Sequence, residues 1–571
     1  MNAERLLQHY EKIADAPDAI ARLRRFILDL AVRGKLVPQD ASGEPASELL
    51  KRIAKEKARL VKAGEIRKPP TLEPITDAEA LYDLPRTWAW VRVGDIFDYD
   101  AGAKRDPKEM DQSLWLLELE DIEKDTSRIV ERLRVSDRDS QSTKSEFEPG
   151  DILYGKLRPY LNKVVVANEP GYSTTEIVAI RPFLRMCPEY CALAFRRPDF
   201  VAYVERLGRG TKMPRLRTPD AIVAPFPLPP LAEQHRIVAK VDELMGLCDR
   251  LEAARAGREA LRDRLAAASL ARLNAPDPET FQADARFALD ALPALTTRPD
   301  QIRRLRQTIL NLAVRGKLVP QDANDEPAPE LLKRIAKEIA AYGKANRIGQ
   351  MQGDPIPEDL PFAAPAGWVW TRLSSLFKVI TDGDHQPPPK GDQGVAFLTI
   401  GNITTGRIEF NGCRLVPESY FKSLAPYRTP ARGDILYTVV GATFGRPALV
   451  DTDRAFCVQR HIAILKPVEQ MSLRFLSVLL ASPLIYDQAA RSTTGTAQPT
   501  IALRPLRNFL APLPPLAEQH RIVRKVDALM ALCDRLEASL TATAATRHRL
   551  LDALLAEALA PVDKREMEAA E

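Results

Sequence analysis

The stretch PLPPLAEQHRIV at residues 227–238 stands again, unchanged, at residues 512–523, an offset of 285, and both copies run on into near-identical sequence ending LCDRLEA. A second repeat, AVRGKLVPQD, lies at residues 31–40 and again at residues 313–322, an offset of 282. Between these anchors the similarity fades but the register holds. Trp88 and Trp90 answer Trp368 and Trp370 at an offset of 280, and GDILY at residues 150–154 answers residues 433–437 at 283. Length alone, at about 100 to 200 residues per domain, allows roughly three to five unlike domains. The repeats replace that with two copies of one unit of about 285 residues in a chain of 571.

The copies diverge unevenly. Flanking stretches are identical over ten or twelve residues, whereas the middle third of each copy keeps only scattered matches. The constant parts are expected to do one job twice, such as holding a symmetric partner or each other. The variable parts are expected to do two different jobs of one kind.

The constant parts read as helices. Residues 231–275 and 516–560 contain no proline, and each stretch is entered through Pro-Pro, a good helix start. Apolar residues fall at Ile237, Val241, Leu244, Cys248 and Leu251, and again at Ile522, Val526, Leu529, Cys533, Leu536 and Leu540. Spacings that alternate four and three are the pattern of a coiled-coil seam, and each helix would run about 67 Å. Because the same stripe occurs twice at equal length, the expectation is an antiparallel pair of helices relating the halves by a pseudo-two-fold axis. Shorter helical blocks precede each middle segment, at residues 19–34 and 46–62 and at residues 301–316 and 328–342, with Gly34 and Gly316 at C-cap positions. Proline-rich stretches at 68–85 and 355–365 follow as linkers or docking arms. The middle segments, about 86–226 and 366–511, carry short β-branched runs broken by Gly, Pro, Asn and Asp, as in mixed α+β domains.

Composition narrows the function classes. Hydrophobic residues at 45% and charged residues at 28% describe a globular chain, not a disordered or fibrous one. No run of 18 apolar residues occurs and the start, MNAERLLQHYEK, is charged where a signal peptide is apolar, so a cytoplasmic protein with no membrane partner is expected. Six cysteines (Cys187, Cys191, Cys248, Cys413, Cys457, Cys533) are too few for a disulfide scaffold and lack metal-ligand spacing. The 46 prolines, about 8% against a usual 5%, lie in the linkers and middle segments.

Catalytic signatures are missing. No phosphate-binding G-x-x-x-x-G-K-[ST], no G-x-G-x-x-G turn, no Asn-Pro-Pro and no H-E-x-x-H occurs, which argues against an intrinsic ATPase or methyltransferase. His235 and His520 are equivalent copies on the constant helices, as suits a partner contact rather than a unique base. Asp106-Pro107-Lys108 loosely resembles a nuclease acidic-x-lysine triplet, but the other copy has no equivalent.

Basic residues say more. The net charge is only +5, yet Arg196, Arg197, Arg206, Arg209, Lys212, Arg215 and Arg217 face only Asp199 and Glu205 within residues 196–217. In the second copy residues 372–507 count 16 basic against 10 acidic side chains. GRGTKMP at residues 208–214 and TTGTAQP at residues 493–499 share one register, a glycine-bearing loop with altered side chains. Arg and Lys neutralise phosphates, while Arg, Lys, Asn, Gln, Ser and Thr hydrogen-bond base edges, so this loop suits a reader of nucleic-acid sequence.

The PLPPLAEQHRIV-to-LCDRLE segment, the AVRGKLVPQ helix and a variable domain in each of two repeats together resemble the specificity subunit of type I restriction-modification systems. The resemblance covers essentially the whole chain. It implies an α+β fold of two mixed α/β target recognition domains, joined by long constant helices forming an antiparallel coiled coil in a pseudo-two-fold internal repeat. On that plan the chain divides into an N-terminal helical block and linker (1–84), a first target recognition domain (85–228), the central long helix (229–275), a connector with the second helical block (276–364), a second recognition domain (365–513) and a C-terminal helix and tail (514–571). The resemblance further implies a non-catalytic subunit that recognises a split, asymmetric site on double-stranded DNA. Its partners would be two methyltransferase subunits using S-adenosylmethionine and restriction subunits using ATP and Mg, with no cofactor in this chain.

Candidate DNA-contacting residues are Lys156, Arg158 and Lys163 after the first GDILY, and Arg209, Lys212 and Arg215 in the glycine loop. In the second copy they are His385, Lys390, Arg446, Gln459, Arg460, His461, Thr494, Thr496 and Gln498. The competing readings are a self-contained sequence-specific nuclease or methylase, and a coiled-coil scaffold for protein partners.

Overall fold

The computed structural model describes residues 15–16, 18–40, 42–207, 212–349, 353–384, 388–389, 391–495 and 498–559. They belong to two units. The first combines the chain up to residue 258 with residues from 544 onward, and the second spans residues 259–543.

In the first unit, helices α1 (Ala19–Val32) and α2 (Ala46–Ala63) precede a sheet-rich reader. The reader contains β1 (Ala89–Arg92), β2 (Phe97–Tyr99), β3 (Trp115–Leu117), β4 (Lys144–Phe147), β5 (Ile152–Gly155), β6 (Val164–Val166), β7 (Gly171–Thr174), β8 (Ile177–Pro182), helices α3 (Pro188–Arg196) and α4 (Pro198–Leu207), and β9 (Pro225–Leu228). The long helix α5 (Leu231–Asn274) follows at once. An antiparallel sheet of order β2-β8-β5-β6 forms the middle, with β5 buried along its whole length as its apolar run requires. β3 and β7 pair in parallel, and β1 pairs with β9, so the strand that opens the reader lies beside the one that closes it. Phe97, Phe195 and Phe226 pack ring against ring behind the sheet.

The second unit repeats this plan. After α6 (Phe281–Asp290), α7 (Pro299–Val314) and α8 (Ala328–Asn346) come β10 (Val369–Arg372), β11 (Phe377–Asp382), β12 (Val395–Leu398), β13 (Ile435–Thr438), β14 (Pro447–Leu449), β15 (Phe456–Val458), β16 (Ile462–Pro467), α9 (Leu473–Leu480), α10 (Pro483–Arg491), β17 (Leu510–Leu513) and α11 (Leu516–Leu559). The sheet order is β11-β16-β13-β14, β12 and β15 are parallel, and β10 pairs with β17. The two long helices are 44 residues each, Leu231–Asn274 and Leu516–Leu559. The connector holds α6. Its Ala288, with Leu295 just beyond it, packs on Ala266, Leu270 and Leu273 of α5.

The proline-rich arms are pinned down. Trp90 Nε1 donates to the Tyr82 carbonyl and Trp370 Nε1 to that of Phe362, each at 3.2 Å. Arg92 reaches the carbonyls of Glu73 and Pro74, and Arg372 those of Asp354 and Pro355. The second tryptophan of each Trp-x-Trp and the arginine two residues on therefore fasten each arm to its own reader.

The predicted seam residues enter the core of their own unit. Ile237, Val241 and Cys248 are buried with Leu23 and Ile27 of α1, and Leu244 and Leu251 pack against that cluster. Ile522, Val526 and Cys533 are buried with Ile302 and Ile309 of α7, and Leu529, Leu536 and Leu540 flank them. Arg24 of α1 forks onto Asp249 and Glu252, and Arg306 of α7 onto Asp534 and Glu537, the same ion pairs in both copies. Within the first unit α1 runs antiparallel to α5, since Ala16 meets Arg255 while Gln39 meets Glu233. It runs parallel to the end of α11, where Arg22 pairs with Asp552 and Lys35 donates to the Leu559 carbonyl. The end of α11 thus runs antiparallel to the start of α5 inside that unit. In the second unit Arg298 at the head of α7 meets Glu259 and Asp263, and Asn311 near its end meets Asn274, which gives the same antiparallel sense.

The two exact repeats turn out to be each other's partner. Gln39 Nε2 donates to Glu233 at 2.6 Å and Gln321 Nε2 to Glu518 at 3.0 Å, joining AVRGKLVPQD to PLPPLAEQ in each copy. The next side chain, fully buried Gln234 or Gln519, accepts from the N–H that starts the first reader helix (Cys187 or Ser472) and donates to a proline carbonyl. At Gly34 and Gly316 the backbone is left-handed, with φ of +66° and +65°, and a Cβ would come within 2.3 Å of Pro85 or 2.5 Å of Pro365. Only glycine suits that corner.

Candidate nucleic-acid interface

In each reader the turn after GDILY is held by the same four backbone hydrogen bonds, two of which join it to the glycine-bearing loop. In the first unit Gly155 donates to Lys163, Lys156 to Glu176, Arg158 to Pro214, and Leu216 back to Lys156, at 2.8–3.0 Å. In the second, Thr438 donates to Arg446, Val439 to His461, Gly441 to Pro499, and Ile501 back to Val439, at 2.8–3.1 Å. A β-bridge between Leu157 and Arg215 corresponds to one between Val440 and Thr500. The scaffold is constant and the side chains on it are not. Arg158 stands where the other copy has Gly441, Lys156 where it has Val439, Glu176 where it has His461, and Arg215 where it has Thr500.

The first reader brings Lys156, Arg158, Lys163, Lys212 and Arg215 to this loop pair, but two of them are already engaged. Lys163 donates its ammonium to the Leu119 carbonyl at 2.7 Å, and burial holds its pKa below the ordinary lysine value. Arg215 forms a two-pronged ion pair with Glu176 at 2.8 and 3.0 Å. Each of these two side chains therefore has a partner inside the reader. Arg158 and Lys212 are exposed, and Lys156 is half-buried. Arg209 lies outside the described residues.

In the second reader Arg446 is likewise tied, donating to the Thr404 carbonyl at 2.7 Å. Gln459, Arg460 and His461 sit together after β15, and Asp384 bridges to Gln459. Arg460 Nε lies 3.4 Å from His461 Nε2. Burial first and the Arg460 charge second push the imidazole below its usual pKa, so it is neutral at pH 7. Thr494 is stitched to Thr500 in both directions and Gln498 is exposed between them. His385, Lys390 and Thr496 lie outside the described residues.

Three features escaped the sequence reading. Glu176 neutralises Arg215. Asn162 takes a left-handed backbone, φ +52°, where the other copy has Gly445 at +83°, and its amide donates to the Arg196 carbonyl. Phe444 and Tyr486 stack in parallel at 5.4 Å beside the second loop, with Tyr486 exposed. Signals for the first and third are absent from local sequence. The second is visible only as an Asn/Gly substitution in register.

Asp106, the suspect nuclease residue, instead caps the turn Pro107–Glu109 and accepts from Thr143. Among the described residues no group of three His, Cys, Asp or Glu side chains is placed to hold a metal ion, and no helix is long and apolar enough to cross a membrane.

The chain is 32% identical to the Type I restriction enzyme EcoAI specificity subunit of Escherichia coli over 556 residues, covering 94% of this chain and 93% of that one. It belongs to the family of type I restriction specificity subunits. The EcoEI specificity subunit of Escherichia coli is also 32% identical, over 95% of this chain and 94% of its own. The description "Type I restriction modification DNA specificity domain" matches residues 365–544, the second reader and the start of α11. Among solved structures, the HsdS subunit from Thermoanaerobacter tengcongensis shares 22% identity over 84% of this chain and 99% of its own, with a TM-score of 0.41. As a specificity subunit the chain is a DNA-recognition component and not a catalytic one, and its two sheet-rich domains are its DNA-recognition domains.

Proposed function

We propose that this specificity subunit reads a bipartite, asymmetric site on double-stranded DNA, one half with each reader, and directs partner subunits to it. The observation that carries this reading is the loop pair. The same backbone stitching occurs in both readers and presents different hydrogen-bonding side chains, as two readers of different half-sites require. The partners are two adenine methyltransferase subunits, which would hold S-adenosylmethionine, and restriction subunits, which would use ATP and Mg. Exposed His235 and His520, in identical flanking sequence, suit a partner bound twice. The assembly is expected to work in the prokaryotic cytoplasm.

Mapping N6-methyladenine in DNA from cells that co-produce the chain with its methyltransferase tests the reading. One split site with unlike halves supports it, and methylation at a contiguous or palindromic site overturns it. Deleting four residues from both long helices, about one turn or 6 Å, should shorten the spacer by one or two base pairs and leave both half-sites intact.

A further inference from the structure

We infer that Arg158 is the side chain by which the first reader fixes a guanine, donating from its planar fork to O6 and N7 on the major-groove edge. The inference rests on the DNA-reading role proposed above and goes beyond it to one residue and one base.

The backbone supplies the first argument. Arg158 sits at φ +49° and ψ +57°, a left-handed conformation that residues with a Cβ adopt at a cost. The loop demands it, because the hydrogen bond from Arg158 N to Pro214 recurs as the bond from Gly441 N to Pro499, and Gly441 sits at φ +84°. Glycine is thus the residue that fits the position without strain, and the second copy uses it. The other left-handed position of the same turn holds Asn162 against Gly445, and there the side chain has a local task, its bond to the Arg196 carbonyl. Arg158 has none. Its side chain is exposed, and among the described residues its guanidinium has no hydrogen-bond or ion-pair partner.

The neighbours supply the second argument. Lys163 is held by Leu119, Arg215 by Glu176, Arg196 by the carbonyls of Asp125 and Thr126, and Arg197 by Asp199, Ala194 and Pro225. Each of those cations is bonded within the reader itself. Strain retained at an exposed, unengaged side chain is a mark of function rather than of folding. An arginine fork matches guanine bidentately, which makes that base its preferred target among the four.

The test separates folding from reading. The full chain, co-produced with its methyltransferase, is compared with R158G and R158K by thermal unfolding and by mapping N6-methyladenine at base resolution. R158G is expected to melt at or above the temperature of the unchanged protein. It should lose about 10- to 100-fold preference for guanine at one position of one half-site, with the other half-site unchanged. R158K should keep part of that preference. Q498A should alter the opposite half-site, which assigns the halves to their readers. A uniform fall in methylation at every sequence, with a shallower salt dependence, would make Arg158 a phosphate contact and overturn the inference. So would an unchanged site, or a lowered melting temperature in R158G. A wild-type complex that methylates without sequence preference sinks the DNA-reading role itself, whatever R158G does.

Discussion

The corner where residues 34–40 meet residues 231–237 and the stitched loop pair of each reader are both built twice, but what is copied differs. At the corner both backbone and side chains recur, down to Gln39 on Glu233 and Gln321 on Glu518. At the loops only the backbone bonds recur, and Arg158, Glu176 and Arg215 give way to Gly441, His461 and Thr500. The difference teaches where each surface is read. Corner side chains meet one another, so a change on one side strands a buried partner on the other. At the loops the recurring backbone bonds persist whatever side chains they carry, so an exposed, unbonded side chain such as Arg158 can change without cost to the frame.

The comparison breaks most visibly if the frame is opened. Ile522→Ala empties a fully buried position between α11 and the second unit's core and should cost about 3–4 kcal/mol in urea unfolding, with both half-sites still recognised by whatever protein remains folded. Gly34→Ala forces a Cβ against Pro85 in a left-handed backbone and should cost about 3 kcal/mol. A loss below 1 kcal/mol would mean the corner is not rigid.

A finer probe lies where the frame's own copies disagree. Asp29 and Asn311 occupy one register, and burial, aided by Asp199 and opposed by Arg33, lifts the Asp29 carboxyl to about 6. A carboxyl whose folded pKa exceeds its unfolded value favours folding when protonated. The folded state therefore loses stability as pH rises from about 4 to about 6, and the penalty is fully present at pH 7. Asp29→Asn should stabilise the first unit by about 1–3 kcal/mol at pH 7 and by little at pH 4, as read from unfolding midpoints at the two pH values. The smallest stability effect belongs to the loops. Gln498→Ala should stay within about 0.5 kcal/mol of the unchanged protein while relaxing one base of its half-site.

Much of the frame was legible because duplication writes it twice. The repeat offsets, the proline-free stretches and the 4/3 apolar stripe led to 44-residue helices at Leu231–Asn274 and Leu516–Leu559. The stripe could not say which surface it meets, since a helix face toward α1 and one toward another long helix carry the same periodicity. Helices α3, α4, α9 and α10 were hidden because they are two to three turns long, and α3, α4 and α10 begin at proline, which reads locally as a linker. The pairing of β1 with β9 joins residues more than 130 apart, beyond any local signal. At the candidate interface Lys163, Arg215 and Arg446 were counted as free charges. Composition lists cations, and only the fold reveals that Leu119, Glu176 and Thr404 already hold them.

The end of α11 lies in the first unit, where Leu551 and Leu554 close over Ala16 and Ala19. A ribosome therefore delivers every residue of the second unit, 259–543, before it delivers the last pieces of the first. The half that is started first is finished last, so the nascent chain carries an uncovered patch at its beginning until residue 559 emerges. Any cut before Leu551 in α11 is felt at α1.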